Sequence, residues 1–146
     1  MSADEEISSS LVIERWMPHA RERVWRALTQ EWLIREWLME NDFQPVVGHC
    51  FTLRSHALPG WTGIVNCEVL AIEQPTYLAY RWGDGSESDS GLSTVVKWTL
   101  DEIEGGTLVR MEQSGFLSSD GLAYTRMSVG WPGRLERLEQ IIGGLS

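Results

Sequence analysis

The residues of this sequence that could take part in chemistry are few, and their spacing argues against metal and nucleophilic sites. His19, His49 and His56 are scattered, and no Cys-x-x-Cys or His-x-x-x-His spacing accompanies them. Cys50 and Cys67 fall on opposite faces of predicted strands, so we expect two free thiols. No histidine is expected to face inward beside Cys67, so a Cys–His nucleophilic pair is not supported. We therefore expect no bound metal and no cofactor.

Two polar side chains are predicted to face the interior of the protein. Tyr80 and Gln113 lie on the inward faces of two predicted strands. Buried polar groups need hydrogen-bond partners, which could be each other, water or a ligand. Together with Glu112 they are the only plausible polar residues for a cyclase- or hydrolase-type reaction. Because no carboxylate pair has a spacing specific for acid–base catalysis, no catalytic residue is assigned.

The tryptophans are the most informative residues, since eight of them occur in 146 residues. A buried tryptophan removes roughly 150–250 Å² from water. Many large rigid rings pack poorly into a small dense core, but they line a hollow well. We therefore predict an internal, mostly apolar pocket, with a purely structural aromatic core as the alternative. The expected lining residues are Trp37, Phe51, Trp61, Tyr80, Trp82, Trp98, Met111, Gln113, Met127 and Trp131.

Length and charge indicate one acidic domain. The chain has 146 residues and a formal net charge of −9, which disfavours nucleic acid and anionic membranes as partners. No apolar run approaches the roughly 20 residues of a membrane span. Residues 1–9 are interpreted as a flexible polar tail without the pattern of a secretory signal, and residues 10–146 as the folded domain. We expect a cytoplasmic protein that is a monomer or a homodimer.

The elements that must position these residues follow from the hydrophobic pattern. A first strand over residues 8–16 precedes two short helices over residues 20–29 and 30–38. Alternating apolar residues then predict inward sets such as Val96, Trp98 and Leu100. The predicted strands of this second group cover residues 49–54, 64–73, 77–82, 92–100 and 107–113.

A long C-terminal helix is predicted over residues 118–142, and Gly143-Gly144 ends it. Its apolar residues recur every three or four positions, which gives one stripe: Tyr124, Met127, Trp131, Leu135, Leu138 and Ile142. Pro132 inside the helix predicts a kink near residues 128–131. The predicted fold class is α+β, a curved antiparallel sheet wrapped around the long C-terminal helix, with two short helices after the first strand.

The chain resembles the START-like, or SRPBCC, superfamily with its helix-grip fold. More closely, it is similar to the bacterial homologues of the activator of the ninety-kilodalton heat-shock protein ATPase. The resemblance covers roughly residues 10–142. The segments that carry it include ERVWRALT at residues 22–29, LAYRW at 78–82, VKWTL at 96–100, SGF at 114–116 and GWP at 130–132.

The resemblance implies a cavity between sheet and helix, and with it three candidate functions. The favoured one is binding of a small hydrophobic or amphipathic molecule, with the long helix and the loop over residues 55–63 controlling entry. The second is interaction with a chaperone through the outer surface, in a stress response. The third is a cyclase- or hydrolase-type enzyme that uses the same cavity. The superfamily hosts lipid carriers, hormone receptors and polyketide cyclases, so the fold alone does not choose between them.

Overall fold

The structure is a computed structural model of the chain, and it describes residues 9–56, 62–83 and 92–145. Within these ranges seven strands form one antiparallel sheet in the order β1-β7-β6-β5-β4-β3-β2. The register shifts between Val69 and Ala71 in the fourth strand, an irregularity of the kind that bends a strand and helps to curve a sheet. The strands are β1 (Ser9–Met17), β2 (Glu40–Asn41), β3 (Cys50–Arg54), β4 (Ile64–Glu73), β5 (Tyr77–Gly83), β6 (Ser93–Ile103) and β7 (Gly106–Phe116).

Three helices within the described ranges cover one face of the sheet. Helices α1 (Arg21–Thr29) and α2 (Glu31–Trp37) follow β1 directly. A 3-10 turn at Ser118–Asp120 leads into the long helix α3 (Gly121–Gly143). The predicted α+β architecture is thus confirmed, including the two short helices after the first strand.

The predicted inward faces of the strands are confirmed. On β6, Val96, Trp98 and Leu100 are all completely buried. Strands β6 and β7 form a hairpin and are both longer than predicted. The turn between them at Glu104 and Gly105 is tight, with both residues in the left-handed region (φ 53° and 80°). The prediction missed β2, since a strand of two residues has no alternation to detect.

Helix α3 is fully buried on its inner side only in its second half, while its first half packs against the core through the partly buried residues Ala123, Tyr124 and Met127. From Trp131 onward it contributes four buried residues to the core, the others being Leu135, Leu138 and Ile142. Its first ten residues contribute none, and two of them, Leu122 and Val129, are 65% and 76% exposed. The predicted apolar stripe therefore faces the core along the helix, fully buried from Trp131 onward and partly buried at Tyr124 and Met127.

Hydrogen bonds from arginine hold the second half of α3. Arg134 donates to the carbonyl of Leu38 at 2.9 Å, and Arg137 donates to the carbonyl of Glu36 at 3.1 Å. Both acceptors belong to the C-terminal end of α2, where helix carbonyls lack partners within the helix. These bonds hold α3 against α2 beyond Pro132. The helix continues through this proline without interruption.

The partly buried first half of α3 lies at one end of the sheet, where Tyr124 contacts Phe116. At this end Arg54 pairs with Ile64, Gly83 pairs with Ser93, and Phe116 pairs with Ser9. We call it the Phe116 end. The described strand ends that flank residues 57–61 and 84–91 also lie here.

The difference between the two halves of α3 can be tested with one substitution in each. Leu138→Ala removes a completely buried side chain and should lower the free energy of unfolding by about 2–5 kcal/mol. Leu122→Ala, on the same helix, should change it by less than about 0.5 kcal/mol. Urea denaturation followed by circular dichroism measures both values. Equal losses of unfolding free energy would contradict the deeper burial of the second half of α3.

The two cysteines differ in environment as predicted. Cys50 is exposed, Cys67 is buried, and both are free thiols. Burial raises the pKa of the Cys67 thiol far above its usual range, and the charge of Asp42 adds to this. The folded protein therefore keeps a proton on Cys67 that the unfolded chain releases above about pH 8.5, so stability should fall as the pH rises past that value.

Thiol titration tests this difference. At pH 8, Ellman's reagent should modify one thiol rapidly in the native protein and the second only after denaturation. Cys50→Ser should abolish the rapid phase, whereas Cys67→Ser should leave it unchanged. Two equally rapid thiols in the native protein would show that Cys67 is accessible.

Candidate ligand-binding site

Four of the eight tryptophans form one buried cluster between the sheet and α3. Trp131 of α3 contacts Trp82 of β5 and Trp98 of β6, with ring centroids 5.5 Å and 5.8 Å apart. Trp37 of α2 meets the edge of Trp98 at 5.6 Å. All four are at most 2% exposed. Edge-to-face contacts of this kind stabilise beyond the burial of area, by about 0.5–1.5 kcal/mol per pair.

The other expected lining residues divide into three groups. Phe51 and Tyr80 continue the cluster toward β3, with their rings 5.5 Å apart, and Met111 lies opposite Trp98 on β7, completely buried. Met127, in the first half of α3, is half-buried and packs against the core. Trp61 lies outside the described residues.

The polar atoms of the cluster form a directional chain of hydrogen bonds. The Trp131 indole can only donate, so the atom of Gln113 at 2.9 Å from it must be the amide oxygen. The amide nitrogen of Gln113 therefore faces Thr94 Oγ1 at 2.9 Å. The Thr94 hydroxyl then donates to the carbonyl of Trp82, also at 2.9 Å. This chain links α3 to three adjacent strands, and the sequence analysis did not include Thr94. The alternation of Val96, Trp98 and Leu100, extended by one step, would have found it.

A second buried bond joins Trp98 to Tyr80. The indole nitrogen of Trp98 lies 3.0 Å from the Tyr80 hydroxyl oxygen, which accepts its proton. Burial raises the pKa of the Tyr80 phenol far above its usual range, and the bond from Trp98 only partly offsets this. Tyr80 is therefore a neutral phenol at physiological pH. Among the described residues, the hydrogen-bond partners of Tyr80 and Gln113 are thus other side chains: Trp98 for Tyr80, and Trp131 and Thr94 for Gln113.

The residues considered for catalysis do not come together. Glu112 faces the opposite side of the sheet from Gln113 and lies beside Arg110 at 3.4 Å. Among the described residues the buried polar side chains are all uncharged: Thr29, Asn41, Thr94, Thr107 and Gln113. Over the same residues, no group of three or more histidine, cysteine, aspartate or glutamate side chains is placed to hold a metal ion.

A separate open cavity of about 370 Å³ lies on the outer side of strands β3, β4 and β5. Eight residues line it, among them Asp42, Glu68 and Arg81. Arg81 pairs with Glu68 at 3.3 Å, and Asp42 accepts a hydrogen bond from the backbone of Thr52 at 2.7 Å. The sequence analysis did not predict this cavity, because outward-facing polar residues on strands are usually just solvated.

The sheet, the long helix and the aromatic interior define a START-like, helix-grip protein. A family model described as "Activator of Hsp90 ATPase homolog 1-like protein" matches residues 18–143, and the chain belongs to this family. The expected resemblance is thereby confirmed. No curated protein matched the sequence. Within the described ranges, no helix combines the length and the apolar character that crossing a bilayer requires.

Three solved structures illustrate the likeness. Protein MLL2253 from Mesorhizobium loti is 42% identical, with a TM-score of 0.86, over 94% of this chain and 99% of that chain. Protein BH1534 from Bacillus halodurans is 28% identical, with a TM-score of 0.74, over 92% and 96%. The Aha1 dimer from Colwellia psychrerythraea is 18% identical, with a TM-score of 0.76, over 92% and 96%. The last comparison shows a common fold.

The chain of hydrogen bonds can be tested at its centre. Gln113→Leu keeps a similar volume but leaves the Trp131 N–H without its acceptor, so the free energy of unfolding should fall by about 1–3 kcal/mol. In a Trp131→Phe background the same change should cost less, because no N–H remains to be satisfied. Glu112→Leu, one residue away on the outer face, should change stability by less than about 0.5 kcal/mol. Equal costs in both backgrounds, measured by urea denaturation, would refute the coupling.

Proposed function

We propose that the protein binds a small hydrophobic or amphipathic molecule, without catalysis, between the first half of α3 and strands β5–β7. One observation carries the proposal. A wholly buried aromatic floor, Trp82, Trp98 and Trp131, adjoins a half-helix that contributes no buried residue of its own. Apolar surfaces with a few fixed polar groups are the usual form of small-molecule sites.

The expected lining residues take different positions in this proposal. Trp82, Gln113 and Trp131 form the floor nearest the Phe116 end, and Met127 stands at the mouth. Trp98 completes the floor, and Trp37, Phe51, Tyr80 and Met111 form the deeper layer. Trp61 belongs to the proposed lining as well, on the evidence of the sequence alone.

The sequence around Trp131 provides a hinge through which the site could open. Gly130 and Gly133 face solvent, since a Cβ atom added at either would meet no neighbouring atom within 4 Å, whereas Trp131 between them is buried. Pro132 has no N–H, so the carbonyl of Ser128 lacks its usual helical donor. The arginine bonds hold α3 beyond this point. The first half is held by the Tyr124 ring, 5.1 Å from that of Phe116, and by the Tyr124 hydroxyl, which donates to the carbonyl of Ser10 at 3.4 Å, so these contacts would open when a ligand enters.

The remaining properties of the proposal follow from charge and composition. A net charge of −9 disfavours nucleic acid and anionic membranes, so the proposed partner is a small molecule. We place the protein in the cytoplasm, as a monomer or homodimer, with residues 10–146 as the binding domain and residues 1–9 as a tail.

A chaperone-associated role in a stress response is the second candidate. The family description and two exposed apolar side chains of α3, Leu122 and Val129, favour it. Such residues on the outer side of a helix suit contact with another protein. In this alternative the outer surface of α3 matters and the interior does not. The enzymatic alternative has no such support, because Glu112 faces away from the interior.

A matched pair of substitutions on α3 separates the two candidates. The neutral probe N-phenyl-1-naphthylamine should quench tryptophan fluorescence saturably in the unaltered protein. Met127→Glu places a charge at the mouth of the proposed site and should weaken probe binding at least tenfold. Val129→Glu adds the same charge at a 76% exposed position and should change it less than twofold.

The contrary outcomes are equally defined. Absence of saturable quenching, or equal effects of the two glutamates, would overturn ligand binding at this site. If Val129→Glu instead abolished stimulation of the host's ninety-kilodalton heat-shock ATPase while Met127→Glu did not, the chaperone role would take its place. Native mass spectrometry of protein purified gently from its own host would identify a retained ligand directly.

A further inference from the structure

The middle of α3 concentrates residues that weaken a helix. Gly130 and Gly133 each disfavour the helical state by comparison with alanine, and Pro132 cannot donate a backbone hydrogen bond. The Ser128 hydroxyl donates to the carbonyl one turn earlier at 2.7 Å, a contact of the kind that bends helices. Residues 128–133 are therefore the segment at which α3 bends or unwinds at the lowest cost.

The two sides of this weak segment are held in the fold unequally. Beyond it, Leu135, Leu138 and Ile142 are at most 1% exposed. Before it, none of residues 121–130 is fully buried, and those that pack against the core do so only in part. The free energy needed to open a segment rises with the apolar area that the segment buries, so the first part of α3 opens more readily than the second.

Tyr124 ties the first part of α3 to the edge of the sheet. Its ring meets that of Phe116 edge-on, with centroids 5.1 Å apart, and its hydroxyl donates to the carbonyl of Ser10 at 3.4 Å. Phe116 ends β7 and Ser10 lies in β1, so one side chain contacts both strands at that edge. Tyr124 stands six residues before Gly130, about 9 Å along the helix axis, so it restrains the part that a bend there would displace furthest.

A first part that left the sheet would not remain a stable helix. Residues 121–130 number ten, and isolated helices shorter than about 12–15 residues are marginal in water. Loss of the contact with Phe116 would therefore expose the backbone amides of this part to exchange with solvent. The amides of the second part would stay protected by the core.

We propose that residues 121–130, the α3 lid, open and close as one unit about Gly130 in the free protein, with Tyr124 as the latch that sets how often they open. The use of this opening as the entrance for a ligand rests on the function proposed above, whereas the opening itself does not. A ligand that enters only the open form has an apparent affinity reduced in proportion to the open fraction.

Hydrogen exchange of the protein without ligand, followed by mass spectrometry, tests the opening. The amides of residues 125–130 should have protection factors at least a hundredfold lower than those of residues 135–142. Gly130→Ala should slow exchange of residues 125–130 about fivefold, because alanine favours the helix and its Cβ meets no neighbouring atom within 4 Å. Gly121→Ala, equally free of contacts but at the start of the helix, should change it less than twofold.

Substitutions at Tyr124 test the latch. Tyr124→Ala removes the ring and the hydroxyl, and it should speed exchange of residues 125–130 at least tenfold. Tyr124→Phe keeps the ring and should change exchange less than threefold, because the bond to Ser10 is long at 3.4 Å. Unchanged protection of residues 135–142 in both variants would show that the rest of the fold is intact.

The link to binding is tested with N-phenyl-1-naphthylamine. Gly130→Ala should weaken binding of this probe by the same factor by which it slows exchange, and Gly121→Ala should leave binding unchanged. Slowed exchange with unaltered probe affinity in Gly130→Ala would overturn the control of binding by the lid.

Two further outcomes would overturn the lid itself. One is equal protection of residues 125–130 and 135–142 in the unaltered protein, and the other is an equal effect of Gly130→Ala and Gly121→Ala on exchange. Failure of the proposed function is a separate result. In that case the unaltered protein does not bind the probe, and hydrogen exchange still decides whether the lid opens.

Discussion

The bond from Trp131 to Gln113 is the interaction on which the arrangement of this interior depends. An indole N–H that is buried must find an acceptor, and here the acceptor comes from the sheet. Because the indole can only donate, it fixes the orientation of the Gln113 amide, which in turn fixes the direction of the Thr94 hydroxyl. The bond also docks α3 on β7 at the first buried residue of the helix. The boundary between the partly buried first half of α3 and its fully buried second half therefore falls at Trp131.

The sequence predicted most of the fold, because the strands have one buried and one solvated face. Alternation alone placed Val65, Cys67 and Val69 inward, and it placed Cys50 on the opposite side. The two-residue strand β2 was not predictable in this way. The site was predicted less completely. Inward tryptophans and polar residues were found, but the pairing of Gln113 with Thr94 depends on which side chains meet across strands, and a single sequence does not specify that.

The dense interior and the proposed ligand site lie along different lengths of the same helix. Beyond Trp131, α3 packs like any core helix. Before it, the helix lies over the Phe116 end of the sheet with its apolar side chains only partly covered. Glycine and proline at the boundary weaken the mechanical link between the two parts. Under the proposed function, the fully buried half supplies stability while the partly buried half supplies access.

The way α3 is fastened has a consequence for its behaviour in salt. Arg134 and Arg137 donate to neutral backbone carbonyls of α2, while Arg15 and Glu139, 2.7 Å apart, join opposite charges at this helix. Dissolved ions screen attraction between charges far more than they weaken a bond to a carbonyl oxygen. A domain with a net charge of −9 gains from added salt, because its own repulsion is reduced. The docking of α3 should therefore tolerate wide swings in ionic strength, such as those that accompany osmotic change in the surroundings of a cell.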